Sequence, residues 1–164
     1  MSWTITDPIV GAQPISETST TQCSALALGQ VVNASDPTYG AGKFIYLLGA
    51  ASTAIGTWST IRSDDNSTVR LVADAAGPVG VAMSANVASQ YGWYQIYGKA
   101  SALAAAAFAD NGDVYITATA GVVDDTVVDG DMVHLAKGAS TIVDAGLADF
   151  EIAYPYTDNI TTND

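Results

Sequence analysis

The chain has 164 residues, of which 49% are hydrophobic and only 13% charged, and its seventeen Asp and Glu against five Lys and Arg give a formal net charge of −12. Without clustered cations the chain cannot neutralise a phosphate backbone, which argues against nucleic acid as a partner. The low share of charged residues is typical of a surface that another chain covers.

The sequence shows no membrane or secretion signal. No run approaches the roughly 18 apolar residues of a membrane span, and the N-terminus lacks both the basic and the apolar region of a signal peptide. We therefore expect no membrane partner and a protein made and kept in a cytoplasm-like compartment. Cys23 is the single cysteine, so no intrachain disulfide can form.

The pattern along the chain predicts strands almost throughout. After an N-terminal stretch rich in Ser, Thr and Pro, the apolar pieces are short, rich in Val, Ile, Tyr and Thr, and separated by Gly, Asp or Asn. The predicted strands cover residues 30–34, 43–48, 57–61, 68–73, 79–84, 93–99, 113–119, 121–123, 132–136 and 150–154. We expect hairpins at the polar loop 63–67 and at Asn111-Gly112, a dipeptide that suits a type I′ turn.

Two short segments have helical character, "SANVASQY" at 84–91 and the Ala-rich "SALAAAAFA" at 101–109. Pieces this short are marginal helices, so we expect one or two turns at most, and the small Ala side chains suit equally a strand or loop that another subunit approaches closely. The spacing of the strands predicts an all-β fold, a single compact antiparallel β-barrel or β-sandwich. We divide the chain into an extended N-terminal arm (1–24), a β domain (25–155) and a polar tail (156–164).

Residues with catalytic potential are few. The one histidine, His134, lies in a predicted strand with no nucleophile near it in sequence, and Cys23 is interpreted as a half-buried apolar side chain. The one candidate for a metal site is the acidic segment that contains Asp124, Asp125, Asp129 and Asp131. These residues lack the order of a calcium-binding loop, so a solvated turn is the favoured interpretation. We expect no enzyme activity, no cofactor and no metal site.

The stretch "YGWYQIYGKA" at 91–100 concentrates the aromatic residues of the chain. On a strand, Trp93 and Tyr97 share one face with an amide and a cation, while the other face suits a core. The first face is compatible with ordinary packing in the core, with a protein interface, or with a platform on which sugar rings stack.

Three segments in this order resemble a known family: "GQVVNASDPTYGAGKFIYLLGAASTAIGTWSTI", "GPVGVAMSANVASQYGWYQIYGKA" and "DVYITATAGVVDDTVVDGDMVHLA". Over residues 29–136 the chain is similar to small virion proteins encoded beside the major capsid gene of tailed bacteriophages. The resemblance rests on the sequence motifs "YGAGKFIYL", "VGVAMS" and "YGWYQIYG". It implies a head decoration, or cement, protein that binds the outside of the assembled capsid, commonly as a homotrimer.

The resemblance implies two partners, the phage major capsid protein and further copies of this chain, and a place on the exterior of the virion. We expect Trp3, Ile5, Ile9 and Val10 to contact the capsid, with the arm adding a strand to a capsid subunit. A disordered N-terminus is the alternative. Contact between protomers is expected at Trp93 and Tyr97. The alternatives for function are a carbohydrate-binding module of a tail or fibre, another head or tail structural protein, and a hydrolase that uses the Asp cluster.

Overall fold

The computed structural model describes residues 1–161 of the chain. These residues form eleven strands and contain no helix, so the predicted all-β fold is confirmed. The strands are β1 (Thr4–Ile5), β2 (Val31–Asp36), β3 (Gly40–Leu48), β4 (Trp58–Arg62), β5 (Ser67–Arg70), β6 (Gly77–Ala82), β7 (Tyr91–Ala104), β8 (Asp113–Ile116), β9 (Val123–Asp124), β10 (Met132–Gly138) and β11 (Gly146–Thr157).

The sheet closes into two rings that share the long strand β7. The first half of β7 joins β3, β5, β4 and β6 in one ring, and its second half joins β11, β10, β8 and β9 in the other. Pairing is antiparallel except for single residue pairs between β3 and β5 and between β7 and β9. An odd number of strands cannot alternate in direction around a closed ring, so each five-stranded ring requires one parallel contact.

Three apolar clusters hold these elements together. The first ring contains a cluster that includes Leu47, Ile61 and Tyr94. The second ring packs around Phe108 and Phe150, whose ring centroids are 5.0 Å apart. A third cluster lies between the sheet and the N-terminal segment, residues 1–24. The sheet therefore has buried side chains on both faces near the start of β7.

Neither of the two segments with helical character forms a helix. Residues 84–90 form bends and turns, and residues 101–104 continue β7. Ala100, Ala102 and Ala104 are buried, and β7 pairs with β11 along this whole stretch. Their small side chains allow the strands to pack closely against the core, and this tertiary pairing outweighs the helix propensity of alanine.

One of the two predicted hairpins forms. Residues on both sides of the loop 63–66 pair as β4 and β5, as expected. Asn111 has the positive φ that a type I′ turn needs, but β8 after it pairs with β10 and β9 rather than with the preceding strand. The prediction of a hairpin at Asn111-Gly112 is wrong because a dipeptide fixes a turn without fixing which strands meet.

A bulge bends β7 where it passes from one ring to the other. Lys43 of β3 lies opposite Tyr97, while Phe44 lies opposite Gln95, so Ile96 is an extra residue on β7. Gly98 follows with φ 102°, and a Cβ there would lie 2.6 Å from the carbonyl oxygen of Ala41. Glycine is required at this position by both the backbone conformation and the close approach of β3.

The segments expected at the two ends of the chain lie against the domain. Thr4 and Ile5 pair with β2, and Ser19 forms a bridge with Tyr91. At the other end, β11 extends to Thr157, two residues into the predicted tail. Residues 162–164 of that tail lie outside the described residues.

Candidate functional site

The residues with catalytic potential are dispersed. His134 Nε2 lies 3.2 Å from a carboxylate oxygen of Asp158, and the imidazole stacks on the ring of Tyr156. Cys23 Sγ lies 3.3 Å from the carbonyl oxygen of Gly11 at the far end of the domain's third cluster. Among residues 1–161, no three His, Cys, Asp or Glu side chains lie close enough to hold a metal ion.

The acidic segment 124–131 caps turns. The Asp125 carboxylate accepts a hydrogen bond from the amide of Ala109 at 2.9 Å, and that of Asp131 accepts one from the amide of Asp74 at 2.8 Å. Asp124 accepts one from the amide of Asp125. Asp124 and Asp125 keep part of their surface exposed and Asp129 is exposed, as expected for a solvated turn, but Asp131 is buried and its carboxylate holds the distant Asp74.

Trp93 lies inside the chain. Its side chain is fully buried, its ring centroid is 5.1 Å from that of Tyr46, and its Nε1–H donates to the carbonyl of Gln13 at 2.8 Å. It could contact another protomer only if the N-terminal segment moved away from it. Of the two residues predicted to contact another protomer, Tyr97 therefore has exposed surface and Trp93 has none.

Tyr97 belongs to an exposed surface that we call the tyrosine patch, formed by Tyr97, Leu135, Tyr154 and Tyr156. Their exposed fractions are 42%, 60%, 49% and 42%, respectively. The rings of Tyr97 and Tyr154 are 5.7 Å apart, within the usual range for interacting aromatic pairs. Half-exposed aromatic side chains on a rigid sheet are enriched at protein interfaces.

A groove of about 770 Å³ runs beside the patch. Tyr97, Leu135 and Ile152 supply apolar parts of its lining, and Lys137 and Glu151 line it as an ion pair with Nζ and Oε2 3.2 Å apart. The groove is open to solvent. It can accept an extended segment or a ring that stacks on Tyr97.

Two residues of the tyrosine patch adopt a costly backbone conformation. Leu135 has φ 59° and Tyr154 has φ 57°. Between the residue pairs His134–Tyr156 and Ala136–Ile152, one residue of β10 faces three of β11, so the ladder is irregular here. A bulky residue in the left-handed region costs about 1–2 kcal/mol. The fold retains this strain while presenting two large side chains to solvent.

Lys43 lies over the rings of the patch. Its Nζ is 6.0 Å from the ring centroid of Tyr97 and 5.6 Å from that of Tyr154. A hydrogen bond with Tyr154 and attraction to that residue raise the pKa of Lys43. In the part of the chain that the structure describes, no carboxylate lies within salt-bridge distance of this ammonium.

The four residues expected to contact a capsid lie on the N-terminal segment. Trp3, Ile5 and Ile9 are partly buried and pack against the third cluster, where the rings of Trp3 and Phe44 are 4.8 Å apart. Val10 is 96% exposed. The segment is ordered against the domain, so an added strand at a capsid subunit would require it to leave these contacts.

Two carboxylates fasten this segment to β2. Asp7 accepts hydrogen bonds from the backbone amide of Asn33 at 2.7 Å and from its side-chain amide at 3.0 Å, and these bonds lower the pKa of Asp7. Asp36 accepts from the backbone amide of Ser2, which is the main cause of its lowered pKa. Both bonds are strongest when the carboxyl groups are ionised.

Sequence reasoning did not identify Lys43, Leu135, Tyr154 or Tyr156 as surface residues of interest. A signal is present in "YPYT" at 154–157, because a proline directly after the predicted strand 150–154 indicates an edge or a bulge, and here it separates two tyrosines. Nothing local indicates that this segment lies beside Tyr97, which is more than fifty residues earlier in the chain.

Comparison with protein-family models gives no match, and no curated protein matches the sequence. Residues 1–161 contain no helix that is long and apolar enough to cross a membrane.

Proposed function

We propose that the protein is a structural component of a tailed-bacteriophage head that binds the outside of the assembled capsid and bridges its subunits, without enzymatic activity. The tyrosine patch is the observation that carries this proposal. An exposed apolar and aromatic surface on a rigid sheet, in a chain with few charges, favours binding to another protein. The resemblance over residues 29–136 supplies the identity of that partner.

The N-terminal segment is the proposed capsid contact. Val10 projects from the domain, and Trp3, Ile5 and Ile9 lie along the same segment with part of their surface exposed. Tyr97 contributes to contact between protomers. In a homotrimer each capsid contact is repeated, so individually weak contacts combine once the capsid presents several sites with matching geometry. A protein that binds the assembled state and not free subunits stabilises the assembly.

The test is co-sedimentation of the purified protein with empty, expanded heads of the phage that encodes it, beside isolated capsid subunits. We expect saturable binding to heads, at many copies per particle, and no binding to subunits. Val10→Asp should weaken binding, while Val127→Asp, at another exposed valine, should not. The proposal would be contradicted if the protein did not bind heads, or if Val10→Asp and Val127→Asp reduced head binding equally. A low copy number would indicate a head-completion or tail protein instead.

A carbohydrate-binding module is the second candidate, favoured by the groove beside Tyr97. A half-exposed tyrosine next to the polar groups of Asp113, Lys137 and Glu151 is an arrangement in which a sugar ring can stack and form hydrogen bonds. This function predicts hits on a glycan array that disappear in Tyr97→Ala. An array without hits removes this candidate and leaves the capsid proposal unchanged.

A further inference from the structure

The tyrosine patch is large enough to form the centre of an interface but too small to be a whole one. With roughly 200 Å² for a complete large side chain, its four residues expose about 390 Å². A stable interface buries about 800 Å² on each partner. A stable contact centred on the patch would therefore also have to cover surface around it, on β3 and on the rest of β10 and β11.

The charge at this centre restricts the partner. Lys43 lies against Tyr97 and Tyr154 and has no carboxylate partner among residues 1–161. Its neighbours Lys99 and Lys137 are each paired, with Asp149 and Glu151. An occupant that covers the patch removes water from the Lys43 ammonium, and a carboxylate beside the occupant's apolar side chain compensates for that loss.

A matching element occurs in this chain, in the loop 141–145 that precedes β11. Val143 in this loop is 85% exposed and is followed directly by the exposed Asp144. In the described part of the chain, the Asp144 carboxylate makes no hydrogen bond or ion pair. The loop thus presents a large apolar side chain and an unpaired carboxylate at adjacent positions, which is the chemistry that the patch requires.

The loop and the patch cannot meet within one protomer. The loop directly precedes Gly146 at the start of β11, whereas Tyr97 lies opposite Ala153, about 23 Å further along that strand. Two complementary surfaces that lie apart on one molecule can meet twice in a two-fold dimer, or head to tail in a closed ring when the rotation between neighbours closes.

We propose that the tyrosine patch of one protomer binds the loop 141–145 of a second copy, with Val143 against Tyr97 and Leu135 and with Asp144 paired to Lys43. The inference deepens the self-association that forms part of the proposed function, and it assigns the two surfaces and their charges. A cyclic trimer uses each surface three times and leaves neither exposed.

The experiment is a charge exchange measured by light scattering over a dilution series. Lys43→Glu and Asp144→Lys should each weaken self-association about tenfold or more, and the double variant should restore it to within about threefold of the original. Asp64→Lys, at an exposed carboxylate in another loop, is the matched control and should leave association unchanged. Should a charge reversal prevent folding, Lys43→Gln and Asp144→Asn test the same pair.

The outcomes separate this inference from the proposed function. Rescue in the double variant supports the pairing. A chain that is monomeric at all concentrations, or a double variant no better than the single ones, overturns it. Each variant is also tested for binding to empty heads. If a monomeric variant still binds heads, the capsid proposal stands. If the wild-type chain associates with itself but does not bind heads, the capsid proposal alone is rejected.

Discussion

Replacement of Trp93 by alanine separates a core role from an interface role. The indole is fully buried between Tyr46 and the N-terminal segment. Removing a buried aromatic side chain costs about 3–5 kcal/mol, and the lost bond leaves the carbonyl of Gln13 without its donor, which costs about 1 kcal/mol more. We therefore expect Trp93→Ala to lower the free energy of unfolding by about 4–6 kcal/mol.

The assay is urea and thermal unfolding followed by circular dichroism, combined with light scattering at temperatures where the variant is folded. For a chain of this length the expected loss corresponds to a decrease in Tm of about 12–17 °C. Because association raises apparent stability, unfolding is measured at two protein concentrations roughly a hundredfold apart. Below its melting temperature the variant should associate like the original chain.

Two further substitutions serve as controls. Trp93→Phe keeps most of the apolar contact and removes the bond to Gln13, so it should cost only about 1–2 kcal/mol. Tyr97→Ala removes an exposed ring, and it should change stability by less than about 1 kcal/mol while weakening self-association. A Trp93→Ala variant that is a folded monomer with unchanged Tm would refute this reasoning and place the indole at an interface.

Three more predictions follow from the backbone and from ionisation. Gly98→Ala should cost about 2 kcal/mol or more in urea unfolding, whereas Gly146→Ala, with open space around its Cβ, should cost less than about 1 kcal/mol; equal effects would contradict the role of the bulge. The lowered pKa of Asp7 means that its contribution to stability is present above about pH 4 and is lost as pH falls through the folded pKa. In an NMR titration the Asn33 amide should therefore shift with a midpoint below that of an ordinary aspartate, and Asp7→Asn should abolish this shift; a midpoint at or above pH 4 is the opposing result. Leu135→Gly relieves a left-handed strain, so it should leave stability unchanged or raise it by up to about 1 kcal/mol while reducing self-association, and a loss of more than about 1 kcal/mol would oppose this view.

Local sequence pattern was sufficient for the fold class and for the approximate positions of most strands. Short apolar pieces rich in β-branched and aromatic residues, separated by Gly, Asp and Asn, correspond to β2 through β8 and to β10 and β11. Loop 63–66 was also predictable, because hairpin pairing between adjacent strands depends on residues close in sequence. The Asp-rich segment 124–131 has the turn-capping role that its composition indicated.

The places where prediction failed depend on contacts between distant parts of the chain. Local pattern left helix and strand open for residues 101–104, and the pairing with β11 decides for strand. The environment of Trp93 was not predictable either, because the residue that shields it, Gln13, lies eighty positions earlier. Simple alternation along a strand assumes one solvated face, and the N-terminal segment covers that face here.

The sequence by itself determined the all-β character, the acidic balance and the lack of clustered cations, since each follows from composition or from the spacing of neighbouring residues. Tertiary structure alone decided that β7 serves two rings, that the N-terminal segment lies against β2 and β3, and that Lys43 meets Tyr97 and Tyr154. Pairing between strands far apart in the chain is selected by the total burial and hydrogen bonding of the closed sheet. A short stretch of sequence does not determine this total, because the residues that contribute to it are distant from one another in the chain.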